Sequence, residues 1–362
     1  MTSRSYHAIA YFDHVRALLT VLIIFHHCAI MFGAPGAWYL REPLTSSVLQ
    51  APLAFFTAVN QAFIPACVFL LAGYFTPAAC ARKGWGQFLR DRALRLGLPL
   101  LLYGFVLGPL TAALASRRDV VDVVELGPFW YLLALLLLSV IYALWRVLAR
   151  RLKLRLRTPH TPGFTTLLLT ALCAGGLAFL LRAAGPLLPP LPDLEAGSLL
   201  TACLLFVVGA SLARSRWLER IHSADVRPWR IAALLLIPTL GLYTVWACIG
   251  NGLDAAYSGS LLALVFALCE PLLVWGLILD LLYRVRTTPK RGLRAPAWRW
   301  WSEAAYAACL IHPPVITALG LLLQDVPANN GIRFLIAGSA GTVFSFVLAR
   351  EILRLPAARR IL

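Results

Sequence analysis

Apolar residues run along this chain in long blocks, separated by short polar connections. Crossing the hydrocarbon core of a bilayer takes roughly 20 mostly apolar residues in a helix. Ten blocks approach that length, near 12–33, 51–75, 94–115, 128–148, 164–182, 197–213, 229–249, 257–283, 303–323 and 332–353. The sixth is short and the eighth long. No block is flanked by a stretch long or polar enough for a soluble domain, and no internal repeat or low-complexity tract stands out. The expected fold is therefore all-α: a polytopic membrane bundle of about ten transmembrane helices, forming one domain over 1–362 with no appended soluble domain.

Composition narrows the class. Of the 362 residues, 60% are hydrophobic and 14% charged, and the mean hydropathy is +0.77. Soluble domains carry about 25% charged residues. This excludes a soluble enzyme, a disordered chain and a disulfide-stapled secreted scaffold. The net charge of +17 would suggest nucleic acid in a soluble protein. In a membrane protein it predicts basic loops on one face, with the lipid bilayer and not nucleic acid as partner. Placing the N-terminus inside leaves only Arg41, Arg117, Arg118, Arg182 and Arg333 outside. Of 33 Lys and Arg residues, Arg16 falls within the first span and 27 lie inside. The asymmetry predicts N-in, C-in topology. The outer loops are short and often acidic, as at Asp119, Asp122, Glu125, Asp193, Glu195 and Asp254. The eight cysteines form no C-x-x-C pair and are read as buried small side chains, with no metal site.

Chemistry must then lie within the bundle, where each ionisable residue is a functional candidate. Arg16 and His27 are eleven residues apart, three helical turns plus about 20°, so they share a face about 16 Å apart along the axis. A cation at the inner mouth and an imidazole deeper in suit an elongated substrate. The alternative is a snorkelling arginine and a helix-packing histidine. His26 points about 80° away from Arg16, as expected of a supporting residue. Arg92 and Arg95, three apart on one helical face, could hold phosphates, or simply be positive-inside charge. His312 precedes Pro313 and Pro314. The helix is expected to kink or break there, leaving free carbonyls beside the imidazole. Glu270, before Pro271, could orient a histidine, activate a hydroxyl or form a structural ion pair. Trp130 and Tyr131 would form either an interfacial aromatic belt or a stacking platform for sugar rings.

These residues resemble a family. Tyr11-Phe12-Asp13, Arg16 and His26-His27, the run Phe69 to Phe75, the segment Phe88 to Pro99, Gly127 to Tyr131 and Tyr306 to Pro313 are similar, in order, to the motifs of the integral-membrane acyltransferase family 3. That family includes bacterial O-acetyltransferases of surface glycans and glucan succinyl-transfer proteins. The resemblance implies a multi-pass enzyme of the bacterial inner membrane. It would transfer an acyl group from cytoplasmic acyl-coenzyme A (acetyl-CoA by default) to a hydroxyl of a glycan, lipid or small molecule, with no tightly bound cofactor. Arg92, Arg95 and Tyr74 would contact coenzyme A. His27 would act as general base or acyl carrier, with Arg16 at the mouth and Glu270 or His312 assisting, while Trp130, Tyr131 and His26 would line the acceptor side. Some relatives carry a fused extracytoplasmic hydrolase-like domain. This chain shows none, so it is expected to complete transfer itself or to hand the group to a separate extracytoplasmic partner. The competing class is a transporter or flippase of a sugar or lipid precursor, which kinked helices and midplane charges would also suit.

Overall fold

A computed structural model describes residues 3–43, 47–115, 127–153, 161–184, 196–246, 261–288 and 296–362. The outer acidic residues from Asp119 to Asp254, Cys248 and the outer cations Arg117 and Arg118 lie outside the described residues. Every regular element described is helical: α1 (Ser3–Met31), α2 (Ser47–Lys83), α3 (Trp85–Leu114), α4 (Trp130–Arg151), α5 (Phe164–Ala184), α6 (Ala196–Leu212), α7 (Ser223–Trp246), α8 (Leu261–Thr287), α9 (Pro296–Leu323), α10 (Asn330–Ile352) and the short α11 (Pro356–Ile361). Among the described residues nine helices are long and apolar enough to cross a membrane. The sixth block forms the shorter apolar helix α6, of 17 residues, about 25 Å long at 1.5 Å per residue. The protein is a polytopic all-α membrane protein.

α1 has apolar residues on all sides, the pattern of a helix buried in a bundle rather than laid on its surface. It packs against α2, α8, α9 and α10 and contributes to two apolar cores. Ala17, Ile24 and Cys28 pack with α9, α10 and α4. Val15 and Leu19 pack with α2, α6 and α8. α2 and α6 touch backbone to backbone. A Cβ at Gly73 would stand 2.0 Å from the Phe206 carbonyl oxygen, and one at Gly209 2.1 Å from that of Leu70.

The helix ends alternate in direction. Phe12 near the start of α1 packs edge-on against Phe75 near the end of α2, at 4.9 Å. Arg350 at the end of α10 meets Glu303 at the start of α9 at 2.8 Å. Arginines thus gather at one end of the bundle, here called the basic end. At the opposite end Asn330 donates to the carbonyls of Phe32 and Pro43, at 3.0 and 3.1 Å. Glu42 pairs with Arg333 at 3.4 Å, both largely buried. The segment between α1 and α2 is thereby pinned. Of the described cysteines Cys28, Cys67, Cys80 and Cys309 are buried, but Cys173 is exposed on the outside of α5. The expectation of burial fails there because the surface of a membrane helix is as apolar as its core.

α3 contains two π-helical turns, Ala93–Gly97 and Tyr103–Leu107, each just before a proline. Such widened turns re-aim side chains and recur at functional sites.

Candidate active site

The expected break at His312 does not occur: α9 runs continuously from Pro296 to Leu323 through both prolines. The prediction of a freed carbonyl does hold. Pro313 has no N–H to return to the carbonyl four residues earlier, that of Cys309. The His312 imidazole fills the place, its Nδ1 2.5 Å from the Cys309 carbonyl oxygen. The side chain repairs the defect, and the helix does not have to break.

That contact settles which nitrogen carries hydrogen. A carbonyl oxygen only accepts, so Nδ1 of His312 is the donor and Nε2 of neutral His312 presents a lone pair. Nε2 lies 2.9 Å from Nδ1 of His27. His27 therefore offers its Nδ1 hydrogen to His312, with the Ile23 carbonyl one turn below as a second acceptor for the same ring, and in that tautomer Nε2 of neutral His27 carries no hydrogen. The polar chain runs from the Cys309 carbonyl through His312 to His27. His312 is fully buried, whereas His27 keeps partial exposure.

Aromatic rings enclose the pair. Trp38, from the pinned segment after α1, stacks on His27 with centroids 4.3 Å apart and planes 19° apart. It lies 6.1 Å from His312 at 18°. Phe129 approaches His312 at 6.3 Å. His26 meets His27 edge-on at 5.1 Å. The Nδ1 of His26 and the Nε1 of Trp38 are both buried without a hydrogen-bond partner among the described residues.

A second line of contacts leads from this pair to the basic end along α9. Tyr306, Cys309 and His312 follow at intervals of three and share a face. Cys309 Sγ lies 3.6 Å from the Tyr131 hydroxyl. The Tyr306 hydroxyl donates to the Arg95 carbonyl at 2.6 Å, which Pro99 leaves without its helical N–H. Arg92 donates to the Thr76 hydroxyl at 3.2 Å and lies over the Phe88 ring at 5.2 Å. The cations of Arg16 and Arg95 repel it. Arg16 is open to solvent and held by Asp13 at 2.8 Å. The structure thus brings Arg16, Arg92 and Arg95 into one cluster at the basic end, eleven residues below His27, and makes no direct Arg16–His27 contact.

Other sequence candidates sit elsewhere. Among the described residues no hydrogen bond or ion pair joins Glu270 to His27 or His312. It lies on α8, where its neighbour Pro271 lines an apolar cavity of about 300 Å³ with Thr170, Thr201 and Trp275. The Tyr74 hydroxyl donates to Glu219 at 3.1 Å and does not reach the arginines by any described bond. Trp130 packs on Phe69 at 6.2 Å, and Tyr131 faces Cys309. Both turn into the bundle and form no outer belt. Trp38 and Phe129 were not singled out by spacing. A lone tryptophan in a loop carries no periodic signal, and Phe129 shares its motif with the more conspicuous Trp130.

The family model described as an acyltransferase domain matches residues 9–350. The chain belongs to acyltransferase family 3. The match runs from within α1 to within α10 and takes in every residue of the site, so this is an acyltransferase. No curated protein and no solved structure matches this acyltransferase.

Proposed function

We propose that this membrane acyltransferase takes an acyl group, acetyl by default, from acyl-coenzyme A at the basic, cytoplasmic end. It transfers the group to a hydroxyl of a glycan, lipid or small molecule, in a bacterial inner membrane with both termini inside. The observation that carries the reading is the His27–His312 contact of 2.9 Å with its fixed direction. A base must present a lone pair and be oriented by a third group. Here His27 Nε2 presents it, His312 orients it and the Cys309 carbonyl orients His312.

Arg92 and Arg95 would grip the phosphates with forked, charge-assisted bonds, with Arg16 beside them. The thioester arm would rise between α1 and α9, past Tyr306 and Cys309. His27 Nε2 takes the proton of the acceptor hydroxyl as its oxygen attacks the thioester carbonyl. The positive charge on His27 is stabilised by the bond its Nδ1–H makes to His312. Collapse of the adduct expels the thiolate, and the proton on His27 goes to sulfur. An acyl-histidine would arise by the same geometry if Nε2 itself attacked first. A labelled acyl donor that never labels His27 in a single turnover would exclude that route.

The test uses purified protein in nanodiscs with acetyl-CoA and with glycerol in excess as hydroxyl acceptor, following free thiol. Release by the wild type that is lost in His27→Ala, in protein of unchanged melting temperature, supports the reading. Equal release by both proteins contradicts it.

A further inference from the structure

The indole of Trp38 has a feature that stacking does not use. Its ring covers His27 and lies near-parallel to both imidazoles, and a phenylalanine could cover them as well. Trp38 adds an N–H, and that N–H is buried in a side chain only 5% exposed, with no partner among the described residues. A buried donor left unpaired is destabilising, and natural structures rarely carry one without a reason. The position is not loosely held. The segment bearing Trp38 is closed at one end by Ala34 N–H to Ala29 and at the other by Glu42 N–H to Met31, both 2.8 Å. Asn330 and Arg333 of α10 clamp it from outside, and Gly36 takes the positive φ of 137° that its turn demands. A rigid, desolvated, unpaired donor against the ring of the base is what stabilisation of a developing oxyanion requires.

We propose that the Trp38 indole N–H is the hydrogen-bond donor to the acyl carbonyl oxygen as that oxygen becomes an oxyanion. This rests on the acyl-transfer reading above. The acceptor oxygen bonds to the thioester carbon, and the C=O π electrons move to oxygen, where the indole N–H receives the charge. The hydroxyl proton goes to His27 Nε2. The C–S bond then breaks, the carbonyl re-forms and the thiolate leaves with that proton. Products are the acyl ester and free coenzyme A, with no oxidant or further reactant. Trp38 acts on the transition state and not on the ground-state thioester, so its loss lowers kcat while KM stays.

The experiment compares wild type, Trp38→Phe and His27→Ala in nanodiscs, measuring kcat and KM for thiol release from acetyl-CoA, with melting temperature as the fold control. Trp38→Phe keeps the stacked ring and deletes only the donor. The expected result is a fall in kcat of about 10²-fold, KM within about twofold and an unchanged or higher melting temperature. A Trp38→Phe protein with kcat within about threefold of wild type, while His27→Ala is inactive, overturns the inference and leaves the acyl-transfer reading standing. Wild type that releases no thiol, or His27→Ala that matches it, overturns both. Should Trp38→Phe melt early, Trp38→3-benzothienylalanine, which keeps the bicyclic ring and has sulfur in place of the N–H, replaces it under the same criteria.

Discussion

His27 Nδ1 and His312 Nε2 meet at 2.9 Å, and the hydrogen between them belongs to His27, because His312 already donates its own to the Cys309 carbonyl. Two imidazoles and the Cys309 carbonyl thus form a directed chain, and in neutral His27 that direction leaves Nε2 without hydrogen. In the usual catalytic pairing a carboxylate orients the histidine. Under the proposed function a buried neutral ring takes that place, which avoids an unpaired anion at depth.

Replacing His312 separates orientation from bulk. His312→Leu removes the acceptor and is expected to lower kcat by about 10²-fold. His312→Gln can accept through its amide oxygen and is expected to retain more activity than His312→Leu. Steady-state thiol release from acetyl-CoA by the two variants checks the order, and the reverse order would contradict it.

Pro313 has a defined task in this scheme. Pro313→Ala returns an N–H to the Cys309 carbonyl and sets it in competition with His312 Nδ1. Helix stability should rise or hold, since an interior proline is destabilising by about 3 kcal/mol. Activity should fall, by about tenfold. A joint measurement of melting temperature and kcat checks both signs, and a variant that is more stable and fully active would show that the His312 contact is incidental.

The arginine cluster is expected to act on donor binding. Arg92→Gln should raise KM for acetyl-CoA at least about tenfold, as loss of a charge-assisted bond does, with kcat within about twofold. Acetyl-pantetheine, which lacks the nucleotide phosphates, should show the same KM in both proteins. A KM for acetyl-CoA that does not move would place the phosphates elsewhere.

Close helix contact gives a stability prediction independent of the chemistry. Gly73→Ala and Gly209→Ala set a Cβ about 2 Å from a carbonyl oxygen, so α2 and α6 must separate, destabilising by about 1–3 kcal/mol or more. Gly176→Ala on α5 meets nothing within 4 Å and should be neutral or stabilising by about 0.5–1 kcal/mol. Thermal melts of the three variants check the ordering.

Much of this was legible in the chain because membrane insertion imposes a coarse, strong pattern. The apolar blocks marked the helices, and the one block below spanning length, 197–213, is the helix that came out short. Arg16 and His27 both fall on the single continuous helix α1 that the first apolar block marked. The His312-Pro313 step was read as a freed carbonyl beside an imidazole, and that is what stands there. Of the two outcomes expected there, a kink or a break, the break does not occur, since the imidazole itself satisfies the carbonyl. What stayed hidden was which deep group faces which. Glu270 and His312 both lie well inside apolar blocks, and no spacing along the chain says that α9, and not the Glu270 stretch of α8, presents its polar group to His27. For Trp130 and Tyr131 the sequence left a belt and a stacking platform both open, because it gives depth and not facing. Trp38 reaches the site from a loop whose path is set by α10, some 290 residues away.

The most direct test of the account reads the protons themselves. In nanodisc protein with ¹⁵N-labelled histidine rings, His27 is assigned by its loss in His27→Ala. The account predicts hydrogen on Nδ1 and a bare Nε2 for neutral His27, with the Nδ1 preference lost in His312→Leu. A spectrum showing hydrogen on Nε2 of His27 in the wild type would leave the pair without a free base and contradict the account.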